Sequence, residues 1–151
     1  MKTTNEKSLA TITHLSALSQ YIIPLGNYIF PILIWSTNKD KSKFIDFNGK
    51  QVLNFQLSVL VYTLVFVAVS ISAFLCFSVE TINKIDFSQN NFDVTEVLST
   101  QNITGLLIVG ITAIVLLVIM KVTEFILLIY GATKAANNEH YNYPLTINFI
   151  K

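Results

Sequence analysis

The strongest candidates for chemistry in this sequence are two charged residues of the last hydrophobic block, Lys121 and Glu124. A charge at the centre of a membrane span costs roughly 2.5–3.5 kcal/mol on insertion scales, so such residues usually mark a partner or a pathway. Their i, i+3 spacing lets them pair with each other on one helix face. The alternative is that both lie near the membrane interface, with the Lys121 side chain extended towards water. The sequence leaves both alternatives open.

A second set of polar side chains enters the middle hydrophobic block at helical spacing. Its members are Gln51, Asn54, Ser58 and Tyr62. Amides and hydroxyls within a span form hydrogen bonds between helices that contribute about 0.6–2 kcal/mol each. One interpretation is that these groups satisfy the backbone exposed at a break in the first hydrophobic block, at Pro24–Asn27. The other is that they line a hydrophilic cavity open to the cytoplasm.

Small residues follow on the same block, at a spacing of four. Ala68, Ser72 and Cys76 form a small-xxx-small pattern, which is suited to close contact between helices in a membrane. Cys76 is the only cysteine, so an intrachain disulfide and a thiolate metal cluster are excluded. We therefore interpret Cys76 as a packing residue.

The sequence indicates no catalytic, cofactor or metal site. Its two histidines, His14 and His140, have no acidic or cysteine partner at ligand spacing, and a protein metal site needs several N, O or S ligands. The sequence also contains no nucleophile-elbow motif, no zinc-protease motif and no phosphate-binding glycine loop. We interpret His14 as a polar residue at the membrane interface, and we expect a protein that is not an enzyme.

The composition is that of a membrane protein. Of 151 residues, 52% are hydrophobic and only 13% are charged, whereas a soluble domain has about 25% charged residues. The apolar residues are clustered in long runs, which predicts membrane spans and not one large core. All ten basic residues are lysines, and the absence of arginine argues against nucleic-acid binding. The length predicts a single membrane domain, residues 1–151.

The first hydrophobic block, residues 8–37, is broken in its middle. Pro24 and Gly26 interrupt the helical pattern, because proline removes a backbone donor and glycine frees the backbone. Two short helices are predicted, roughly Ser8–Ile22 and Asn27–Thr37, each near the lower limit for crossing a hydrocarbon core of about 30 Å. The block is therefore either one kinked span, two short spans or a re-entrant hairpin, and the side on which the N-terminus lies stays open.

Two long helices follow. Residues 42–79 are predicted to lie first along the interface and then to span the membrane, and residues 103–136 are predicted to span it again. The loop between them, residues 80–102, is acidic. Its carboxylates are those of Glu80, Asp86, Asp93 and Glu96.

The tail, residues 137–151, changes period. Apolar side chains alternate with mostly polar ones, beginning at Tyr141 and Tyr143, and this period of two predicts an extended segment held against the cytoplasmic interface. The predicted fold is therefore an all-α integral membrane protein, with a broken N-terminal helical hairpin, two long transmembrane helices and a short extended cytoplasmic tail.

Lysine counts predict the orientation, because short cytoplasmic loops carry an excess of lysine. The lysines before the middle block are Lys39, Lys41, Lys43 and Lys50. The loop at residues 80–102 has only Lys84. We therefore expect a multi-pass protein of the bacterial inner membrane, with the four lysines and the C-terminus in the cytoplasm and the acidic loop on the opposite side.

Three stretches resemble a known family. They are HLSAL with YIIPLGNYIFPILIW, then GKQVLNFQ within Phe44–Gln56, and the tail KAANNEHYNYPLTINFIK. They resemble a widespread family of small bacterial membrane proteins of unknown function, grouped with the twenty-kilodalton subunit of the chloroplast inner-envelope (Tic) protein-import translocon. The resemblance covers nearly the whole chain, and it implies an all-helical membrane domain, no known catalysis and a link to protein translocation.

Two functions are predicted as competing hypotheses. The first is a non-enzymatic accessory or scaffold subunit of a larger inner-membrane complex that handles exported proteins, with other integral membrane proteins and the lipid bilayer as partners. Its candidate contacts are the Lys121–Glu124 pair, the polar face of the middle block (Gln51, Asn54 and Ser58) and the small-residue stripe (Ala68, Ser72 and Cys76). The alternative is a self-assembling channel or carrier for ions or small solutes, which implies a homo-oligomer. Neither hypothesis involves a cofactor or a nucleic acid.

Overall fold

The computed structural model describes residues 3–83 and 100–151. This part of the chain forms α1 (Thr4–Ser16), α2 (Gly26–Asn38), α3 (Lys43–Asn83) and α4 (Thr100–Ala136), with short 3₁₀ helices at Ala17–Tyr21 and Lys39–Lys41. The described residues contain no strand. The predicted all-α fold with two long apolar helices is therefore confirmed. Most of the predicted loop at residues 80–102 lies outside the described residues.

The first hydrophobic block folds as a helical hairpin. α1 begins before the predicted Ser8, because Thr3 and Glu6 cap each other's backbone N–H groups at 2.9 and 3.3 Å. The chain reverses at Leu25, which takes a left-handed conformation with φ 63°. α2 then packs against α1 and continues through Pro31. Each helix has 13 residues, about 20 Å in length, which is too short for a hydrocarbon core of about 30 Å.

The two long helices have the properties of membrane spans. α3 has 41 residues and α4 has 37, and α3 begins behind Ser42, whose hydroxyl accepts a hydrogen bond from the Phe44 N–H at 3.2 Å. The candidate spans are Lys43–Cys76 and Leu107–Ala136. Only 6% and 11% of their most apolar windows are buried, which argues against the core helices of a soluble protein.

The described chain forms two compact units. The first, here called the hairpin unit, contains residues 3–62 and Lys121–Lys151. The second, here called the apolar unit, contains the described part of Thr63–Met120. In the apolar unit, α3 and α4 border a groove lined almost wholly by apolar side chains. Large side chains of this unit such as Val69 and Ile114 are exposed, as expected of residues that face lipid.

The hairpin unit has an apolar core along α3. Phe44 clusters with Ala10 of α1 and Ala135 of α4, and further along α3 Val52 clusters with Leu128 of α4. Since the numbering of α4 falls as that of α3 rises, the two helices are antiparallel here. The hairpin and the tail pack onto this pair of helices.

Gly49 lets α2 approach α3. A Cβ atom at this position would overlap the Trp35 ring, at 2.6 Å from Cγ. At this close approach the Trp35 indole N–H donates a hydrogen bond to the Asp46 carboxylate at 2.9 Å, and Asp46 also pairs with Lys50 at 2.6 Å. One tight contact and one shared carboxylate therefore fix the second helix of the hairpin to α3.

We expect Gly49→Ala to push Trp35 away from α3. Because the added methyl group overpacks this contact, the variant should lose about 1–3 kcal/mol of unfolding free energy. The emission of Trp35, the only tryptophan, should shift to longer wavelength. Thermal unfolding and intrinsic fluorescence in detergent measure both effects. Gly110→Ala is the matched control, since a Cβ atom there meets nothing within 4 Å, and an unchanged Trp35 spectrum in Gly49→Ala would contradict the packing.

Candidate functional site

His14 joins three parts of the hairpin unit. Its side chain is fully buried, with Nδ1 2.6 Å from the Tyr143 hydroxyl of the tail and Nε2 2.9 Å from the Asn48 Oδ1 atom of α3. The Asn48 amide nitrogen donates to the Phe44 carbonyl at 2.8 Å, so Oδ1 is the acceptor. His14 therefore donates from Nε2 and accepts the Tyr143 hydroxyl hydrogen at Nδ1, as a neutral imidazole.

Burial keeps this cluster uncharged. Desolvation lowers the pKa of His14 from 6.5 to about 4, and the hydrogen bond to Asn48 opposes this shift only in part. Burial likewise raises the pKa of Tyr143 well above its ordinary value. The sequence suggested an interfacial His14, but the side chain lies in the core, because partners from two distant segments satisfy both of its ring nitrogens.

Gly131 of α4 makes room for the cluster. A Cβ atom there would overlap the Tyr143 hydroxyl and lie 3.0 Å from His14 Nδ1. Tyr143 also stacks on Phe55, with ring centroids 4.3 Å apart, and Tyr141 meets Tyr143 edge-on at 5.0 Å. Tyr143 is buried and Tyr141 is half-buried, so both tail tyrosines are part of the packed hairpin unit.

Asn54 holds the last residues of the tail. Its Oδ1 atom accepts hydrogen bonds from the backbone N–H groups of Phe149 and Ile150, at 3.1 and 2.8 Å. Its Nδ2 atom donates to the Ile150 carbonyl at 3.0 Å. One buried amide thus satisfies three backbone groups of an extended segment, which would otherwise need a strand as its partner.

Two further residues of the same helix face bind the tail. The Ser58 hydroxyl accepts a hydrogen bond from the Ile147 N–H at 2.8 Å, and the Tyr62 hydroxyl donates to the Leu145 carbonyl at 2.6 Å. The polar face of α3 therefore binds the tail and not the break in the first hydrophobic block. Gln51 is half-buried and makes no hydrogen bond to the tail within the described residues.

Two glutamines connect the hairpin to the long helices. Asn27 donates to the Gln56 Oε1 atom at 2.7 Å, and Gln20 donates to the Glu124 Oε1 atom at 2.9 Å. The other Glu124 oxygen pairs with Lys121 at 2.8 Å. The Glu124 side chain is almost fully buried, whereas that of Lys121 is 44% exposed, so the lysine both neutralises the carboxylate and reaches the surface. Gln56 is one of the amides by which the sequence carries polarity into the middle hydrophobic block. Gln20 was not predicted as a site residue, although an amide inside an apolar block is itself a signal of a buried hydrogen bond.

The lysines expected to set the orientation lie together around the turn between α2 and α3. They are Lys39, Lys41, Lys43 and Lys50. The Lys39 ammonium lies 5.3 Å from the centroid of the Trp35 ring, and Lys41 donates to the Asn38 side chain at 2.7 Å. α2 runs from the hairpin turn to these lysines, so positive charge marks the end of the hairpin unit away from that turn.

The small-residue stripe lies on an exposed face of α3. Ala68, Ser72 and Cys76 are all exposed, and the Ser72 hydroxyl donates to the Ala68 carbonyl of its own helix at 2.9 Å. The groove of the apolar unit is lined from α3 by other residues, among them Phe66 and Ser70. The stripe is therefore available to a neighbouring helix.

Buried polar groups of the hairpin unit are engaged with one another. Within residues 3–83 and 100–151, no three His, Cys, Asp or Glu side chains lie close enough to hold a metal ion. Both ring nitrogens of His14 are engaged, and Gln20 and Lys121 hold the buried carboxylate of Glu124. These contacts join the hairpin to α3, α4 and the tail.

Stability should fall between pH 6.5 and pH 4 because of His14. Its pKa is lower in the folded chain, about 4 against 6.5, so the unfolded chain binds the proton first as the pH falls. The contribution of neutral His14 to the free energy of unfolding is complete above pH 6.5, and by pH 4 about 3 kcal/mol of it is lost. Thermal unfolding in detergent across this range measures it.

His14→Gln should abolish this part of the pH dependence, at the expense of lower stability near neutral pH. The matched control is His140→Gln, since the exposed His140 ring packs edge-on against Phe44 and Phe47. The same pH slope in wild type and His14→Gln would contradict the assignment.

Asn54→Ala should release the tail. The substitution removes three hydrogen bonds to Phe149 and Ile150, and we expect a loss of about 1–3 kcal/mol. Chymotrypsin should then cleave the tail several times faster than in wild type, as measured by mass spectrometry. Gln51→Ala, one turn earlier on α3, is the control. Equal cleavage rates in both variants would show that Asn54 does not hold the tail.

Comparison with protein families gives a match over almost the whole chain. A family profile matches residues 5–150, and its description is the magnetosome magnetite crystal formation protein family. Comparisons with curated proteins and with solved structures found no match. The matched range includes the hairpin, both long helices and the tail, so it concerns the entire fold and not one segment.

This match corrects the functional prediction. The prediction of a subunit that handles exported proteins is wrong, and so is its alternative, a channel or carrier, because the family's description names magnetite crystal formation. An association with protein transport or a translocon is wrong for the same reason. The expected kinship with small bacterial membrane proteins holds, kinship with the chloroplast import subunit has no support, and the description names no enzymatic activity. Because the match covers residues 5–150 of 151, the chain belongs to the magnetosome magnetite crystal formation protein family.

Proposed function

We propose that this chain is an integral protein of the magnetosome membrane that takes part in magnetite crystal formation without catalysing a reaction. The family match over residues 5–150 carries this proposal. The two apolar spans, Lys43–Cys76 and Leu107–Ala136, support residence in the membrane, because helices of this length with exposed apolar surfaces are unfavourable in water.

The hairpin unit belongs on the cytoplasmic side in this proposal. It carries the lysines of the α2–α3 turn, and it contains both ends of the described chain, residue 3 and Lys151. Lysine is enriched in short cytoplasmic loops. Two spans take the chain across the membrane and back, which supports a cytoplasmic location for both ends. The segment between α3 and α4 then faces the compartment that holds the crystal.

That segment is rich in carboxylates. It contains Asp86, Asp93 and Glu96 against a single lysine, Lys84, and Glu80 lies just before it in the last turn of α3. Residues 84–99 lie outside the described part of the chain. Carboxylates are common iron ligands in proteins, and magnetite is an iron oxide. We assign contact with iron ions or with the crystal surface to this segment, and anchoring in the membrane to the described helices.

The small-residue stripe supports contact with a neighbouring membrane protein. Ala68, Ser72 and Cys76 are exposed, and small residues allow close approach of helix backbones in a bilayer. Asn54 and Ser58, in contrast, already bind the tail. We therefore assign the packing of a partner helix to the stripe and not to the polar face of α3.

Deleting the gene for this chain from a magnetite-forming bacterium that carries it should give smaller and less regular crystals. Electron microscopy of crystal length and shape measures the effect, and re-expression of the wild-type chain should reverse it. Crystals of unchanged size and shape in the deletion strain would contradict the proposed function.

The complementation experiment also tests the crystal-facing segment. The variant Glu80→Gln/Asp86→Asn/Asp93→Asn/Glu96→Gln should reach the membrane in normal amounts but fail to restore crystal size, because amides bind iron cations more weakly than carboxylates. The control variant Asp40→Asn/Glu139→Gln removes exposed carboxylates from the proposed cytoplasmic side and should restore it. Full restoration by the fourfold variant would refute the role of the loop carboxylates.

A further inference from the structure

Two chain reversals in the hairpin unit present its most exposed large apolar side chains. The hairpin turn, Tyr21–Leu25, exposes Ile22 at 85% and Leu25 at 66%, and the tail turn, Pro144–Thr146, exposes Leu145 at 84%. These are the three highest exposures among the large hydrophobic residues of the described chain. Burying an Ile or Leu side chain is favourable by roughly 1.5–3 kcal/mol. We therefore expect that another apolar phase or surface covers the side chains of these two turns.

Both turns lie at the same end of the hairpin unit. Asn27, just after the hairpin turn, bonds Gln56 of α3. Leu145, in the tail turn, bonds Tyr62 of α3. These two α3 residues are six positions apart, about 9 Å along the helix axis. The lysine-rich turn between α2 and α3 lies at the other end of α2.

Apolar surface continues from the turns onto the long helices. On α3, burial ends before Leu60 and Val61, which are both exposed. On α4, Phe125 and Ile126 are exposed, and the Phe125 ring meets that of Tyr21 edge-on at 6.2 Å. All four residues of the long helices belong to the candidate spans. The turns therefore border the exposed apolar surface of the two candidate spans.

We propose that the hairpin turn and the tail turn insert into one leaflet of the bilayer, and that the first hydrophobic block does not cross the membrane. The occupant of both apolar tips is lipid, at the boundary between headgroups and acyl chains, about 5–10 Å deep. An aromatic such as Tyr21 at the turn suits this depth, since tyrosine is enriched at membrane interfaces. The lysine turn at the opposite end stays in water.

The lengths of the hairpin helices support the same conclusion. With 13 residues each, α1 and α2 reach about 20 Å, whereas the hydrocarbon core is about 30 Å thick. In this proposal the hairpin unit contacts one leaflet at the two turns, in addition to the residues that it contributes to the candidate spans. This inference goes beyond crystal formation and does not depend on it, so the two can fail separately.

Fluorophore labelling in vesicles tests the insertion. In a Cys76→Ser background, Ile22→Cys, Leu145→Cys and the exposed control Asp40→Cys are each labelled with an environment-sensitive dye. The chain is then reconstituted with phosphatidylcholine and phosphatidylglycerol. The first two labels should emit at shorter wavelength, and nitroxide lipids with shallow spin labels should quench them several times more strongly than the Asp40→Cys label. Aqueous iodide should quench the Asp40→Cys label most.

Several results would overturn the proposal. Iodide quenching of the tip labels equal to that of Asp40→Cys would place the tips in water. Dithionite reduces a label only from the side of the membrane on which the label lies. If dithionite on one side reduced the Asp40→Cys label and dithionite on the other side reduced the Ile22→Cys label, the first hydrophobic block would span the membrane. If protection of the turn labels from iodide disappeared when the protein was diluted in lipid, a second copy of the chain, and not lipid, would cover the two turns.

The fluorescence of Trp35 checks, independently of the labels, that each variant is folded. Ile22 and Leu145 are mostly exposed, so their replacement removes little packing, and the emission of Trp35 should match that of the Cys76→Ser parent. Leu25→Cys serves as the second probe of the hairpin turn. Agreement between the Ile22→Cys and Leu25→Cys depths supports insertion of the turn, and a water-exposed Leu25→Cys label contradicts it.

Discussion

A neutral imidazole buried between two hydrogen-bond partners holds the hairpin unit together. His14 of α1 bonds Asn48 of α3 through one ring nitrogen and Tyr143 of the tail through the other. Loss of either partner would leave a buried polar atom unsatisfied, at a cost of about 1–3 kcal/mol. Since 129 positions separate His14 from Tyr143, this one contact couples the N-terminal hairpin to the C-terminal tail.

The same logic explains the polar residues of the long helices. Backbone groups near a membrane need partners within the protein, because lipid offers none. Asn54 and Ser58 supply these partners to the tail, and Gln56 supplies one to the Asn27 side chain of the hairpin. The polar side chains therefore connect segments that have no regular ladder of hydrogen bonds between them, whereas little of the most apolar part of each candidate span is buried.

Local patterns in the sequence predicted the helical class, the two long spans and the break in the first block, because each follows from hydropathy or from Pro24 and Gly26. They did not predict what the polar groups bind. Tyr143, one of the two partners of His14, and the partners of Asn54 lie in the tail, 95 to 129 positions away, and such contacts leave no periodic trace. The function was misjudged for another reason, since kinship between families suggested translocation while no residue carried that activity.

The hairpin and the tail lie in one compact unit, and this supports our proposal that residue 3 and Lys151 face the same side of the membrane. Fusions of a fluorescent protein and of alkaline phosphatase to each end measure this directly, since the first is bright only in the cytoplasm and the second is active only outside it. We predict fluorescence without phosphatase activity at both ends, and phosphatase activity for a fusion between residues 84 and 99. Phosphatase activity at the N-terminus together with fluorescence at the C-terminus would contradict this, because the first hydrophobic block would then span the membrane.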